Sequence, residues 1–194
     1  MTSIEQAKED LRQSVLASRI EADKRLRAQA ARLVTEHFLR TINLEDNTCI
    51  AGYWPLTSEL DTQPLLKELI TLGHRVVLPV VVQPKTPLTF RRWQPGVELV
   101  EGYAGTKVPP AESPAAEPDI LIVPLIAFDR AGYRLGYGAG FYDYTLQNLR
   151  KSRPIIAVGL AYAAQQVPFV PHEGHDAPLD WVITEGGALK CGAS

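Results

Sequence analysis

Apolar residues recur at helical spacing near the N-terminus, at Ile4, Leu11 and Val15, and again at Leu26, Ala30, Leu33, Val34 and Phe38. Thr2 or Ser3, each followed three residues on by Glu5 or Gln6, stands where a capping box opens a helix. Ser18 with Glu21 repeats that signal, so the pattern predicts a first helix and then a second, longer one. Residues 43–47 are polar and read as a loop. After them the period changes. Residues 49–54, 120–124, 155–160 and 181–184 are short apolar runs of strand length. Residues 75–82 form another, with Pro79 inside it, which predicts a bend or a sheet edge. Residues 64–72 read as a helix stopped by Gly73, residues 88–93 as a hairpin partner, residues 112–118 as a loop and residues 144–150 as a helix.

Strands that alternate with helices and lack a polar face belong in a largely parallel sheet covered on both sides. The predicted fold is α/β: a three-layer Rossmann-like domain with helices on both faces and a small β insertion over residues 83–110. Residues 1–194 are read as a single domain. In such sheets ligands bind beyond the carboxyl ends of the strands. Trp54 with Glu59 and Asp61, the loop after Pro124, and Tyr162 all fall at such ends. Trp54, Tyr137, Tyr142 and Tyr162 would wall a pocket for a flat aromatic ligand with anionic appendages.

Bulk composition narrows the partners. The chain has 194 residues, 45% hydrophobic and 22% charged, with a formal net charge of −2. That balance carries no general electrostatic footprint for nucleic acid. The N-terminus carries Glu5, Glu9 and Asp10 instead of an apolar signal core, and no run is long enough to span a bilayer. Cys49 sits in an apolar run and Cys191 near a Gly/Ala/Ser tail read as loose, so no disulfide is expected. The expectation is a cytoplasmic monomer acting on small molecules, without nucleic-acid or membrane partners.

The segment 129–143 carries the chemistry. It joins a predicted strand to a predicted helix through the alternating glycines Gly136, Gly138 and Gly140. Glycines let backbone approach a phosphate, and a helix N-terminus offers free N–H groups to it. Arg130 and Arg134 add positive charge, and Asp143 could hold a metal ion against that phosphate. The spacing is neither a P-loop nor G-x-G-x-x-G. Glycines alone also suit a plain exposed turn.

The full string Phe128-Asp129-Arg130-x-Gly132-x-Arg134-Leu135-Gly136-x-Gly138-x-Gly140-Phe141-Tyr142-Asp143 resembles the signature of the 5-formyltetrahydrofolate cyclo-ligases, also called 5,10-methenyltetrahydrofolate synthetases. Lys8-x-x-Leu11-Arg12 is similar to the family's opening basic helix, Glu59-Leu60-Asp61-Thr62 to its acidic turn, and 175–185 to its closing motif. These pieces keep the family's order along nearly the whole chain. Phe141 departs from a more usual tyrosine.

The resemblance implies ATP-dependent cyclisation of 5-formyltetrahydrofolate to 5,10-methenyltetrahydrofolate, with ATP as co-substrate and Mg2+ as cofactor. It implies Lys8, Arg134 and Tyr142 as catalytic residues. It places Lys8, Arg12 and the run Arg134, Leu135, Gly136, Tyr137, Gly138, Ala139, Gly140, Phe141, Tyr142 on ATP. It places Trp54, Glu59, Tyr137, Gly138, Ala139, Gly140 and Phe141 on the folate, and Asp143 and Asp180 on the metal. Without it, Lys8 and Arg12 would be a solvated basic face, Glu59 a helix-start acid, Trp54 a core residue and Asp180 a turn residue. His175 reads as structural.

Overall fold

A computed structural model of the chain describes residues 3–192. The first helix, α1 (Ile4–Thr41), is one uninterrupted helix of 38 residues. Ser3 caps it, its Oγ accepting from the Gln6 amide at 3.2 Å; Thr2 lies outside the described residues. The expected break at Ser18 does not occur, because no glycine or proline interrupts residues 4–41. The sequence reads as two helices for a physical reason. Between Val15 and Ala30 the inward stripe turns polar. Arg19 is buried there, and Asp23 accepts the Tyr162 hydroxyl at 2.8 Å.

Beyond α1 the predicted elements form with shifted ends, α3 extending past its expected bounds, together with some that were not expected. They are β1 (Cys49–Ala51), α2 (Gln63–Thr71), β2 (Arg75–Val80), β3 (Thr89–Arg92), β4 (Val100–Glu101), β5 (Lys107–Val108) and β6 (Ile120–Val123). There follow β7 (Ala127–Phe128), β8 (Arg134–Leu135), α3 (Phe141–Ser152), β9 (Ile156–Leu160), β10 (Trp181–Thr184) and β11 (Gly187–Lys190). The β7–β8 hairpin inside the glycine-rich segment and the edge strand β11 were not expected. β11 also corrects the reading of a loose tail: the Cys191 amide donates to the Asp180 carbonyl at 3.0 Å, and burial pushes its thiol up to about 12. Both cysteines are free.

The main sheet has seven strands in the order β11-β10-β9-β6-β1-β2-β3. The inner five are parallel, and β11 and β3 close the edges antiparallel. Pro79 is therefore not on an edge strand, but β2 pairs with β1 only as far as Val77, so at Pro79 only β3 is paired. The insertion supplies β3 and a separate β4–β5 ribbon whose connection is a short turn at Tyr103–Gly105.

Helices pack on both faces of this sheet, making three layers in all. Ala30, Val34 and Phe38 of α1 and Leu65, Leu66 and Leu69 of α2 cover one face. Leu146 and Leu149 of α3 cover the other. Each fully buried large apolar side chain contributes about 1.5–3 kcal/mol, so Phe38 and Leu66 are principal contributors. Taken in chain order the parallel strands run 2-1-3-4-5, the second of the two common doubly wound orders. The mostly parallel sheet with helices on both faces is as expected, while its strand order differs from the dinucleotide-binding arrangement. The β9-to-β10 crossover also carries only a short helical turn, Ala163–Gln165. No helix of the described residues is long and apolar enough to cross a membrane.

Ser18 is exposed in mid-helix, so Ser18→Ala is expected to raise stability by a few tenths of a kcal/mol. A capping role would instead cost about 1 kcal/mol. Urea unfolding of the two proteins measures the sign.

Candidate functional site

α2 leaves β1 toward one face of the sheet, and α3 follows β6 on the other. Neighbouring strands whose connections diverge leave a crevice at their carboxyl ends. A cleft of about 850 Å³ opens there. Its walls come from the N-terminal turns of α1, the loop after β1, the glycine loop with the start of α3, the Tyr103–Lys107 connection and residues 173–176.

Lys8 and Arg12 lie four residues apart on one face of α1, which turns them into the cleft. The Arg12 Nε donates to the Gly136 carbonyl at 2.9 Å, and its Nη1 to Glu9 at 2.9 Å. Lys8 Nζ is 2.7 Å from Asp176 and 3.3 Å from Glu173. Burial opposes the Lys8 charge, but the two carboxylates outweigh it and its pKa is raised. Burial likewise works against the Asp176 carboxylate, and the Lys8 bond and the Glu173 amide outweigh it, so its pKa is lowered.

The glycine loop begins where β8 ends. Gly138 has φ +94°, and a Cβ there would lie 3.3 Å from the Arg12 guanidinium. Gly140 caps α3 in the left-handed conformation without a side-chain acceptor, leaving the helix start bare. Leu135 is the exception in this run. Its side chain is buried with Val15, Ile126 and Val170, and its carbonyl accepts from the Ile126 amide. It anchors the loop from below and still reaches the cleft lining beside Gly136. Arg134 is nearly buried. Its Nη2 donates to Asp143 Oδ1 at 2.7 Å and its Nη1 to the Ala177 carbonyl. Burial lowers its pKa, against the pull of Asp143. The Ala177 amide also donates to Asp143 Oδ1, at 3.0 Å.

On the opposite wall, Trp54 lines the cleft while its ring packs edge-on against Trp93, centroids 5.5 Å apart. It is both a core and a cleft residue. Glu59 is 4% exposed, and its Oε2 accepts from the Leu56 amide at 2.8 Å. Burial raises its pKa, against that bond and the charge of Arg19. Burial also raises the Tyr142 pKa, with Glu59 adding to it, so the hydroxyl remains a donor at neutral pH. Tyr137, Ala139 and Phe141 also line the cleft, and Tyr103 of the insertion stands edge-on to Phe141 at 5.6 Å.

Asp180 is not brought to this site. It sits just before β10, at the amino ends of the strands, where Oδ2 accepts from the Ala157 amide at 2.7 Å and from Arg150 at 3.0 Å. Arg150 lies roughly 10 Å further along α3 than Asp143. The cleft acids near Asp143 are instead Asp176 and Glu173. With His175 they present ligand atoms within 4.8 Å of one another. Asp176 was legible only as part of the closing motif. Arg19 and Tyr103 carried no sequence signal.

A family model described as the 5-formyltetrahydrofolate cyclo-ligase family matches residues 4–185. The chain is similar to the 5-formyltetrahydrofolate cyclo-ligase of Haemophilus influenzae, with 40% identity over 157 residues, 78% of this chain and 83% of that one. It is similar to the enzyme of the same name from Mycolicibacterium smegmatis, with 32% identity over 92% of this chain and 93% of that one. Its fold is similar to the NMR structure of Aquifex aeolicus 5,10-methenyltetrahydrofolate synthetase, with TM-score 0.77 and 27% identity, covering 96% of this chain and 94% of that one.

The Lys8–Asp176 contact makes a pH prediction. Lys8, with its raised pKa, stabilises fully below 10.5 and loses that contribution as pH rises past its folded value. Asp176, with its lowered pKa, stabilises fully above 3.8 and loses it as pH falls through its folded value. The stability difference between wild type and Lys8→Met is therefore expected to be full near neutrality and to shrink below 3.8. Unfolding at pH 7 and pH 3 checks it.

Proposed function

Because the chain belongs to the 5-formyltetrahydrofolate cyclo-ligase family and is an enzyme of that kind, we propose that it closes 5-formyltetrahydrofolate to 5,10-methenyltetrahydrofolate with cleavage of ATP to ADP and phosphate. One observation carries the reading. Motifs separated by most of the chain line one cleft, with cations and bare amides toward one end and Trp54 with Glu59 at the other.

The formyl carbon is a poor electrophile because the amide nitrogen feeds it electron density. Attack of the formyl oxygen on the γ-phosphorus breaks the bond to the β-phosphate and releases ADP. N10 then adds to the activated carbon and loses its proton. The C–O bond breaks, phosphate leaves, and the methenyl bridge remains. No enzyme nucleophile is needed, so the protein's task is alignment and charge neutralisation.

Lys8 is the cation that would leave its carboxylate partners for the transferring phosphoryl group. Arg12 holds the glycine loop through Gly136 and lines the same wall. Loop amides and the start of α3 receive the phosphates. Arg134 is nearly buried in the cleft wall and fixes Asp143 and the Ala177 segment, so its part is to hold the metal-side acids in place. The Glu59 carboxylate suits the N–H donors of the pterin ring, and Trp54 and Phe141 flank the flat rings.

Magnesium favours hard oxygen ligands, and Asp143, Asp176 and Glu173 supply carboxylates in the cleft. These acids would hold the ion, which when bound would spread the phosphate charge. The whole chain works as one catalytic unit, as a monomer.

Methenyl product absorbs at longer wavelength than its precursor, so turnover is followed directly. Product requiring both ATP and magnesium is expected, and none with all components present would sink the reading. Lys8→Ala is expected to lower kcat about a hundredfold or more, the scale of one lost charge-stabilising group. Asp143→Asn is expected to raise the magnesium requirement. Asp180→Asn is expected to leave the magnesium titration unchanged while costing about 1 kcal/mol of stability.

A further inference from the structure

Arg19 is 2% exposed in the middle of α1. Its three hydrogen bonds all go to uncharged oxygens: Ser58 Oγ at 3.2 Å, the Leu125 carbonyl at 3.4 Å and the Tyr137 hydroxyl at 2.8 Å. A buried cation without a carboxylate in direct contact is expensive to keep. A leucine at this place would extend the apolar stripe of Val15 at no such cost. The bonds also have a pattern. Ser58 precedes Glu59 in the loop after β1, Leu125 follows the end of β6, and Tyr137 belongs to the glycine loop. Arg19 thus ties together three connections that meet at the crevice, although it does not itself line the cleft.

We propose that Arg19 is a positioning residue, which holds the Tyr137 hydroxyl and the loop carrying Glu59 so that the folate end of the cleft keeps its shape. The proposal rests on the cyclo-ligase reading above. The ring of Tyr137 is about half exposed, and what holds it comes mainly from Arg19, through this bond and the guanidinium lying 5.6 Å from the ring centre, with Glu59 as the hydroxyl's other neighbour. Glu59 is faced by Arg19 from α1, Tyr137 from the glycine loop, Tyr53 at the end of β1 and Tyr142 from α3. Of these, the Arg19 charge and the Tyr137 hydroxyl favour the ionised carboxylate, while burial disfavours it. Holding Tyr137 in place therefore also keeps Glu59 able to accept hydrogen bonds from a bound ring.

The test is a double-mutant cycle on Arg19→Lys and Tyr137→Phe, with steady-state kinetics and melting temperature for each protein. Lysine keeps the buried charge but loses the fork; phenylalanine removes the hydroxyl from the other side of the same bond. Each single variant is expected to raise KM for 5-formyltetrahydrofolate about tenfold, the worth of one hydrogen bond to a charged group. Each should keep kcat within about twofold. The double variant is expected to be no worse than the more damaged single one, and the acid limb of 1/KM in Tyr137→Phe to move to higher pH. Additive KM effects, or a lower melting temperature with KM unchanged, would reduce Arg19 to a packing residue and overturn the proposal. Should Arg19→Lys fail to fold, an unchanged KM in Tyr137→Phe overturns it alone. An inactive wild-type protein would instead remove the cyclo-ligase reaction, and this proposal with it.

Discussion

The structure depends on a divergence. β1 and β6 lie side by side, yet the chain leaves β1 for one face of the sheet and α3 follows β6 on the other. No helix can then cover the carboxyl ends of that strand pair. The gap is a consequence of connectivity, and it exists before any side chain is chosen to line it. What the sequence adds are groups of opposite character on the two sides. The loop after β1 brings an acid and a tryptophan, and the long connection after β6 brings glycines, arginine and the acid of α3. A bridging reaction between an anionic nucleotide and a flat heterocycle is the kind of chemistry such a gap accommodates.

Charge inside the gap is arranged in pairs. Lys8 rests on Asp176 and Glu173, and Arg134 on Asp143. These pairs differ in depth. Lys8 is near the surface on a helix end, where exchanging one anionic partner for another costs little. Arg134 is almost enclosed and bonded on both sides of its fork, so it is a fixed part of the wall. Position in the layer structure thus separates a cation on a helix end from one enclosed in the wall, although both carry the same formal charge.

Much of this was legible in the residues. The strands at 120–124, 155–160 and 181–184, the helix ending at Gly73 and the hairpin partner at 88–93 follow from apolar runs and punctuation, since local period and burial agree there. The continuity of α1 was hidden because Arg19 and Asp23 occupy inward positions and imitate a gap between two helices. β11 was missed because Gly187 and Ala188 have weak strand preference and are held by pairing with β10. The misplacement of Asp180 has the same origin as the oversight of Asp176. The two acids lie close together in one motif, but the chain between them runs from the cleft down to the amino ends of the strands, a turn that no local pattern records.

The length of α1 carries a further meaning. Its C-terminal half is locked to the sheet by Ala30, Val34 and Phe38, and its N-terminal half delivers Lys8 and Arg12 to the cleft. A helix turns by about 100° for every residue. Loss or gain of a single residue between Arg19 and Ala30 would turn both cations out of the cleft by about 100°, and Val15 out of its packing with them, while leaving Ala30, Val34 and Phe38 on the sheet. This stretch of chain therefore acts as a phase gauge. It can tolerate many exchanges of side chain on its exposed side, but its residue count is as constrained as the identity of the groups it presents.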